Sequence, residues 1–581
     1  MKIKITVLFL FIFTFFSCNN EMEDTKLNNF FDREFKSMLI EYPESGTYMG
    51  RHDNNDKLTD MSLSSIEKRH RNSIRSLEKI LSIKRSMLSE NNKINYDLYV
   101  QKLRQSISGF EYMSYLMPID QLGGIQISAA NLVGVTPFNN LDDYSNYLKR
   151  LEALPRRIKQ SMILMSKGIA EGIIPPKVVL KSVPEQIKAQ FTISIEDSPF
   201  YDPFTEPPKS ISSEVAQKAK EARLIISGKI MPAFIELHSF FIDKYLPSAR
   251  TNISVVSLPN GEKYYKHLIN YYTTTDLSAK EIHKIGKSEV KRIKEKMQST
   301  IKQTGFKGSF QDFLEFIRSD KRFYYDEEEE LLDGYRSICK KIDPKLSALF
   351  GKLPRIPYGV KPIPPYQAPS SPTAYYHGAS DDGSRPGYFW ANTYNLDTRP
   401  KYEMIALALH EAVPGHHLQI SLAQEMKNVP EFRKRGGYTA FVEGWALYAE
   451  SLGEEMGLYK DPYDKFGQLT YEMWRACRLV VDTGMHAFNW SRKDAVDYML
   501  KNTGKTSYDI NVEVDRYITW PGQALAYKIG ELKIKELRKK SEDTLGENFN
   551  IREFHDLLLQ NGAIPLYLLE EQVNNYIQSY K

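Results

Sequence analysis

Residues 407–419, LALHEAVPGHHLQ, place His410, Glu411, His416 and His417 within eight positions of an apolar run and interrupt that run with Pro414-Gly415. The apolar spacing of Ile405, Leu407, Leu409 and Leu418 asks for a helix. Pro414 forbids an unbroken one, because its ring clashes with the carbonyl four residues back, that of His410, and it has no N–H to donate. The helix must therefore kink or bulge between the first histidine and the other two. On an unbroken helix His417 would lie about 20° from the His410 direction but about 10.5 Å further along the axis, with His416 about 120° away. If Pro-Gly is looped out as a two-residue insertion, His416 takes the effective fourth position after His410 and returns to its face. This reading assigns His416 to the same centre as His410 and leaves His417 as the reserve.

Two histidines one effective turn apart, with a glutamate directly after the first, are the donors of a catalytic zinc site. Such a site needs a third protein ligand, an open position for water and a base. Glu411 points about 100° away from His410 and is placed to be that base. Glu443, 26 residues beyond His417 in the helix-like TAFVEGWALYAE, is the expected third ligand. Glu450, seven residues later on the same face, is the reserve, either as a ligand or as the group that orients a ligand histidine. One zinc per chain is expected.

The balance of 78 basic and 73 acidic residues leaves a net charge of +5, too small an excess for a dedicated nucleic-acid binder. The N-terminus carries Lys2 and Lys4, then the apolar ITVLFLFIFTFF, then Phe-Ser-Cys ending at Cys18. That apolar stretch is too short to span a bilayer, and the pattern is similar to a bacterial lipoprotein signal in which Cys18 is lipidated. Residues 1–18 are thus expected to be a signal peptide and 19–30 a polar tether. No later apolar run is expected to approach transmembrane length, so the membrane is expected to be reached through the lipid anchor only, in an exported protein facing the periplasm or the cell surface. Cys339 and Cys477 are too few to form a disulfide framework and are expected to be unpaired and buried.

Helical spacing of apolar residues runs from about Glu21 to Gln190, breaks at the turn-rich IEDSPFYDPFTEPPKS, and resumes to about residue 350. Between Leu353 and Pro372 the chain is proline-rich and extended. A short strand is predicted over Gly387–Thr393, a candidate cleft edge to which a peptide could add. After Thr398 the chain again reads as helical. The expected organisation is an N-terminal helical region, 31–350, and a zinc-binding catalytic region, 351–581, sharing one cleft.

HEAVPGHHLQ, EGWALYAE, DGSRPGYFWANT, RLVVDTGMHAFNWSRKDAVDYM and RYITWPGQALAYKIG resemble the signature segments of the bacterial domain of unknown function 885 family. That family is similar to glutamate-liganded zinc metallopeptidases of the angiotensin-converting-enzyme and thermostable-carboxypeptidase groups. The resemblance covers nearly the whole mature chain and is strongest between Asp382 and Gly530. It implies a mostly α, two-lobed fold with a deep cleft and a small edge sheet. It also implies tyrosine or histidine donors for the oxyanion, for which Tyr517 and His486 are the candidates, and basic groups for a substrate carboxylate, for which Arg478, Arg385 and Lys528 are the candidates. Asn392 is a further substrate-binding candidate, and Arg478 has an alternative partner in Asp482, one turn on. The leading expectation is a tethered zinc metallopeptidase acting on a peptide or another acyl substrate. Its alternatives are a zinc amidase or esterase and a catalytically silent binding lipoprotein; the oligomeric state is not legible.

Overall fold

The computed structural model describes the backbone of residues 2–365 and 367–580, and side chains from residue 21 onward except 366, 370 and 581. Cys18 therefore lies outside the residues whose side chains are described. The chain is mostly helical, with one small sheet, as expected. The elements that position the site are α1 (Ala279–Gln303), β1 (Tyr358–Pro362), β2 (Ala374–His377), β3 (Gly387–Ala391), α2 (Met404–Glu411), α3 (His416–Gln424), α4 (Thr439–Leu452), α5 (Pro462–Ala487), α6 (Ser507–Thr519) and α7 (Ala526–Leu545).

The spine is α5, in which every residue from Phe466 to His486 is buried. A helix covered on all sides must be met closely, and its glycines allow that. A Cβ at Gly467 would stand 1.8 Å from the carbonyl oxygen of Tyr402. From the other helix, a Cβ at Gly286 of α1 would stand 2.7 Å from the Leu479 Cβ. The hydrophobic core around this spine runs from Leu98 to Ile577, so residues on both sides of position 350 share it. Cys339 and Cys477 are both buried and unpaired within it.

The sheet departs from the expected single strand. The segment predicted as Gly387–Thr393 forms β3, but β3 is the central strand in the order β1-β3-β2. Tyr358 of β1 pairs in parallel with Gly387, and Ala374 of β2 pairs antiparallel with Ala391. β1 lies inside the proline-rich stretch, whose Tyr358-Gly359-Val360 is free of proline. The edges are thus β1 and β2, the latter in the aromatic AYYH segment.

A second departure concerns apolar length. The helical run Lys209–Ser248 is long and apolar enough to cross a membrane by length and composition. Its Ile226, Ile230, Phe234, Leu237 and Phe241 are fully buried, so one face of it packs into the core, while Leu224, Ile235 and Ile242 on the same run are exposed. Charged residues scattered along its outer face hid its length from the sequence reading. Two π-helical turns, Ile226–Ile230 and Phe241–Tyr245, each end one residue before the helical residue that precedes a proline, Pro232 or Pro247. Widening the helix there relieves the clash between the proline ring and the carbonyl one turn back.

Helices α4 and α7 meet through Gly444 and Gly530. A Cβ at Gly530 would lie 1.8 Å from the Ala440 carbonyl oxygen, and one at Gly444 would lie 2.5 Å from the Gly530 carbonyl carbon. Nothing flexible is available to move. Gly530→Ala should therefore destabilise the protein by about 3 kcal/mol through overpacking, while Leu224→Ala, at an exposed side chain, should leave the thermal midpoint within about a degree. Thermal unfolding followed by circular dichroism checks both.

Candidate metal centre

The helix carrying His410 ends at Glu411, and a new helix starts at His416. Pro414 thus separates two helices, a larger break than the two-residue bulge expected from the sequence. The connection leaves helical geometry at Ala412 (φ −95°, ψ −113°) and Gly415 (φ −73°, ψ −128°) and contains a cis Val413–Pro414 peptide bond. It is tied down by the His417 N–H, which donates to the Ala412 carbonyl at 3.0 Å, and by the Trp445 indole, which donates to the Pro414 carbonyl at 2.8 Å. Gly415 has no alternative: a Cβ there would be 1.9 Å from the His410 carbonyl oxygen.

The break turns His416 onto His410. Their rings sit 4.8 Å apart at 85°. Both Nε2 atoms face one oxygen of Glu443, at 3.6 Å from His410 and 3.4 Å from His416. Ligand atoms of His410, Glu411 and His416 all lie within 4.8 Å of one another. His410 is fixed from behind, its Nδ1 lying 2.8 Å from Glu450 Oε1. Glu450 is fully buried, is met by the Arg475 guanidinium at 3.3 Å, and so occupies the orienting position that was its reserve role.

His417 is elsewhere. Its Nδ1 is 2.8 Å from Tyr376 Oη and 3.2 Å from Ser421 Oγ, and its ring lies 4.4 Å from that of Tyr358. It joins α3 to the sheet, and burial lowers it to about 4.

Charge in the cluster is strongly redistributed. Burial opposes ionisation of Glu443, yet His416 and His410 beside it outweigh burial and hold the carboxyl well below its usual range. Burial pushes Glu411 up, against the pull of His416 and His410. Burial would lower His410, but Glu443 and Glu450 carry it to about 9. Glu411 Oε2, Glu443 Oε2 and His416 Nδ1 are buried and without a hydrogen-bond partner. Two imidazoles and two carboxylates crowded together with unpaired acceptors form a donor set that fits a divalent cation.

This cluster opens on a cavity of about 1160 Å³, also lined by Thr373–His377 along β2 and by Arg475, Arg478 and Tyr527. Of the other expected site residues, only Arg478 reaches it. Tyr517 points away, its hydroxyl accepting from Trp474 Nε1 at 3.0 Å and from Arg478 Nε at 2.8 Å. His486 is fully buried between the Val255 N–H and the Tyr517 carbonyl, and burial lowers it to about 4. Arg385 donates to the carbonyls of Gly378 and Tyr48. Asn392 holds the carbonyls of Ala368, Ser371 and Pro372. Lys528 is fully buried among Glu289, Glu472 and Glu531. None of these five lines the cavity, and each spends its polar atoms on neighbours. Asp482 is taken by Tyr265 Oη at 2.6 Å and the Gly522 N–H, and Arg478 pairs instead with Glu513 at 2.8 Å.

The sequence reading missed Arg475 and Tyr527. Arg475 stands three residues before Arg478, so the helical spacing held the signal for it. Tyr527 stacks on His410, with ring centroids 6.4 Å apart at 15°, a contact made across helices that no local pattern announces.

The family model for bacterial proteins of unknown function, DUF885, matches residues 43–573. The chain belongs to this family. Over 96% of its length it is similar to the crystal structure of a candidate lipoprotein from Colwellia psychrerythraea, with 28% identity, 99% of that chain covered and a TM-score of 0.91. A candidate lipoprotein of unknown function from Shewanella oneidensis shares the fold at 16% identity and a TM-score of 0.69, over 94% of this chain and 99% of the other. No curated protein matches.

Metal analysis of purified variants tests the donor set. His410→Ala and His416→Ala should abolish stoichiometric binding, and His417→Ala should keep it. Glu450→Gln should weaken metal affinity by about 10- to 100-fold without removing a ligand.

Proposed function

We propose that this DUF885 protein is a zinc-dependent hydrolase that cleaves peptides. The observation that carries the reading is Glu411: a buried carboxylate with an unpaired oxygen stands inside the same cluster as His410 and His416 and faces the cavity. A purely structural metal site has no use for a base beside its ligands. His410, His416 and Glu443 would hold the zinc, with Glu450 fixing the ring of His410. Zinc held there would supply the positive charge that polarises an acyl carbonyl and makes water more acidic.

The remaining work falls to the chain's own groups. Glu411 accepts the proton of the attacking water and passes it to the leaving amine, a role suited to a carboxyl that burial makes more basic. Tyr527, beside His410 and lining the cavity, takes the oxyanion-donor role that sequence reading gave to Tyr517. Among the described residues β2 pairs only with β3, and its cavity side is where an extended peptide would add as a further strand. A cavity of this volume exceeds the usual small-molecule range of about 300–1,000 Å³ and suits several residues of chain. The basic, apolar start that ends at Cys18 and the likeness to candidate lipoproteins support export and lipid anchoring of the same chain.

Zinc-loaded protein should cut members of a peptide library, with products read by mass spectrometry. Glu411→Gln should keep about one zinc per chain and lower turnover by about 10²- to 10⁴-fold. A Glu411→Gln protein that cleaves at the wild-type rate, or a zinc-loaded wild type that cleaves no peptide, would sink the proposal.

A further inference from the structure

Zinc-dependent hydrolysis does not by itself say where along a substrate the cut falls; the wall of the same cavity bears on that, granted the hydrolase reading. Three guanidiniums line it: Arg475 and Arg478 from α5 and Arg516 from α6. All are buried, at 4%, 4% and 7% exposure. Their counter-charge is short. Glu513 serves two of them, 2.8 Å from Arg478 Nη2 and 2.9 Å from Arg516 Nη2. Arg475 reaches Glu450 at 3.3 Å, but that carboxylate is already engaged with His410.

Two donors are left over. Arg478 Nη1 and Arg475 Nε are buried with no hydrogen-bond partner. Arg478 is otherwise held in place, with Nε on Tyr517 Oη and its plane against Trp474 and Tyr527, so the free nitrogen does not arise from a loose side chain. A buried cation lacking its full counter-charge is costly, and the cost is recovered when an anion arrives.

The spacing limits how far that anion sits from the reaction. The Tyr527 ring lies 4.3 Å from the Arg478 Cζ and 6.4 Å from the His410 ring. The Tyr527 ring thus lies beside both the His410 ring and the Arg478 guanidinium, which puts the two within about three extended residues of each other at about 3.3–3.6 Å each.

We propose that Arg478, backed by Arg516 and Arg475, binds a substrate carboxylate within about three residues of the bond that is cut. Two sources supply this chemistry, the free C-terminus of the peptide and an Asp or Glu side chain. Glu513 holds Arg478 in register, and Tyr517 and Trp474 act through Arg478 as positioning residues.

Calorimetric binding to the purified zinc-loaded protein tests this without turnover. The probes are acetyl-Ala-Ala as free acid against its C-terminal amide, and acetyl-Glu-amide against acetyl-Gln-amide. The acid of one pair should bind about tenfold tighter than its neutral partner, and the pair that discriminates identifies the source. Arg478→Met should abolish the preference and Arg478→Lys should retain part of it. Glu513→Gln, which frees two guanidiniums from their shared counter-ion, should strengthen the preference, the opposite of what general damage would do. If Arg478→Met does not fold by circular dichroism, Glu513→Gln decides. The inference is overturned if neither acid outbinds its neutral partner, or if the preference is unchanged in the variants. A protein that shows the Arg478-dependent preference yet cuts no peptide would overturn the hydrolase reading alone.

Discussion

The carbonyl oxygen of His410 occupies the space where any other residue at 415 would carry its Cβ. That single steric fact permits the chain to leave one helix and enter the next within four residues. It is why His416, and not the residue one regular turn after His410, faces the same carboxylate as His410. Everything on the metal side of the cavity follows from it: the perpendicular imidazoles, the shared oxygen of Glu443, and Glu411 left at the end of its helix facing the open space.

Around this break the fold is built from unusually close helix contacts, and these decide which polar groups can serve the cavity. Gly444 and Gly530 bring α4 against α7, which sets Glu443 near Tyr527. The buried stretch of α5 then carries Arg475 toward Glu450 and Arg478 toward Glu513 on neighbouring turns. Burying so many charges is tolerable because most are paired: Lys528 has three carboxylates, and Lys505 sits between Glu403 and Asp509.

The meeting of His416 with His410 was legible because proline chemistry is local: the clash of Pro414 with the His410 carbonyl can be reasoned from six residues. The extent of the break was not, since whether a helix bulges or ends depends on partners such as Trp445, more than thirty positions away. Glu450 was legible as a choice between two roles, which only the distance to His410 could decide. Tyr517, His486, Asn392, Arg385 and Lys528 were chosen from motif segments where polar residues serve packing as often as chemistry. Tertiary partners distant in sequence, the Val255 N–H for His486 or Glu289 for Lys528, consume them. The sheet shows the same limit in another form. Periodicity found β3, but which strand is the edge depends on pairing across residues 358–391.

One contact joins two parts of the cavity that have been treated separately. Tyr376 stands on the edge strand β2, and its hydroxyl is hydrogen-bonded to His417, the immediate neighbour of His416 on α3. The strand and the ligand-bearing helix are therefore mechanically continuous through one phenol. If the site holds a cation and β2 a substrate chain, as proposed, a shift of Tyr376 is passed to the helix that carries His416. Cation affinity and occupancy of the strand would then be linked, and thermodynamics requires such a linkage to be reciprocal. The cation would tune how well the groove accepts its substrate by the same factor with which the substrate tunes retention of the cation.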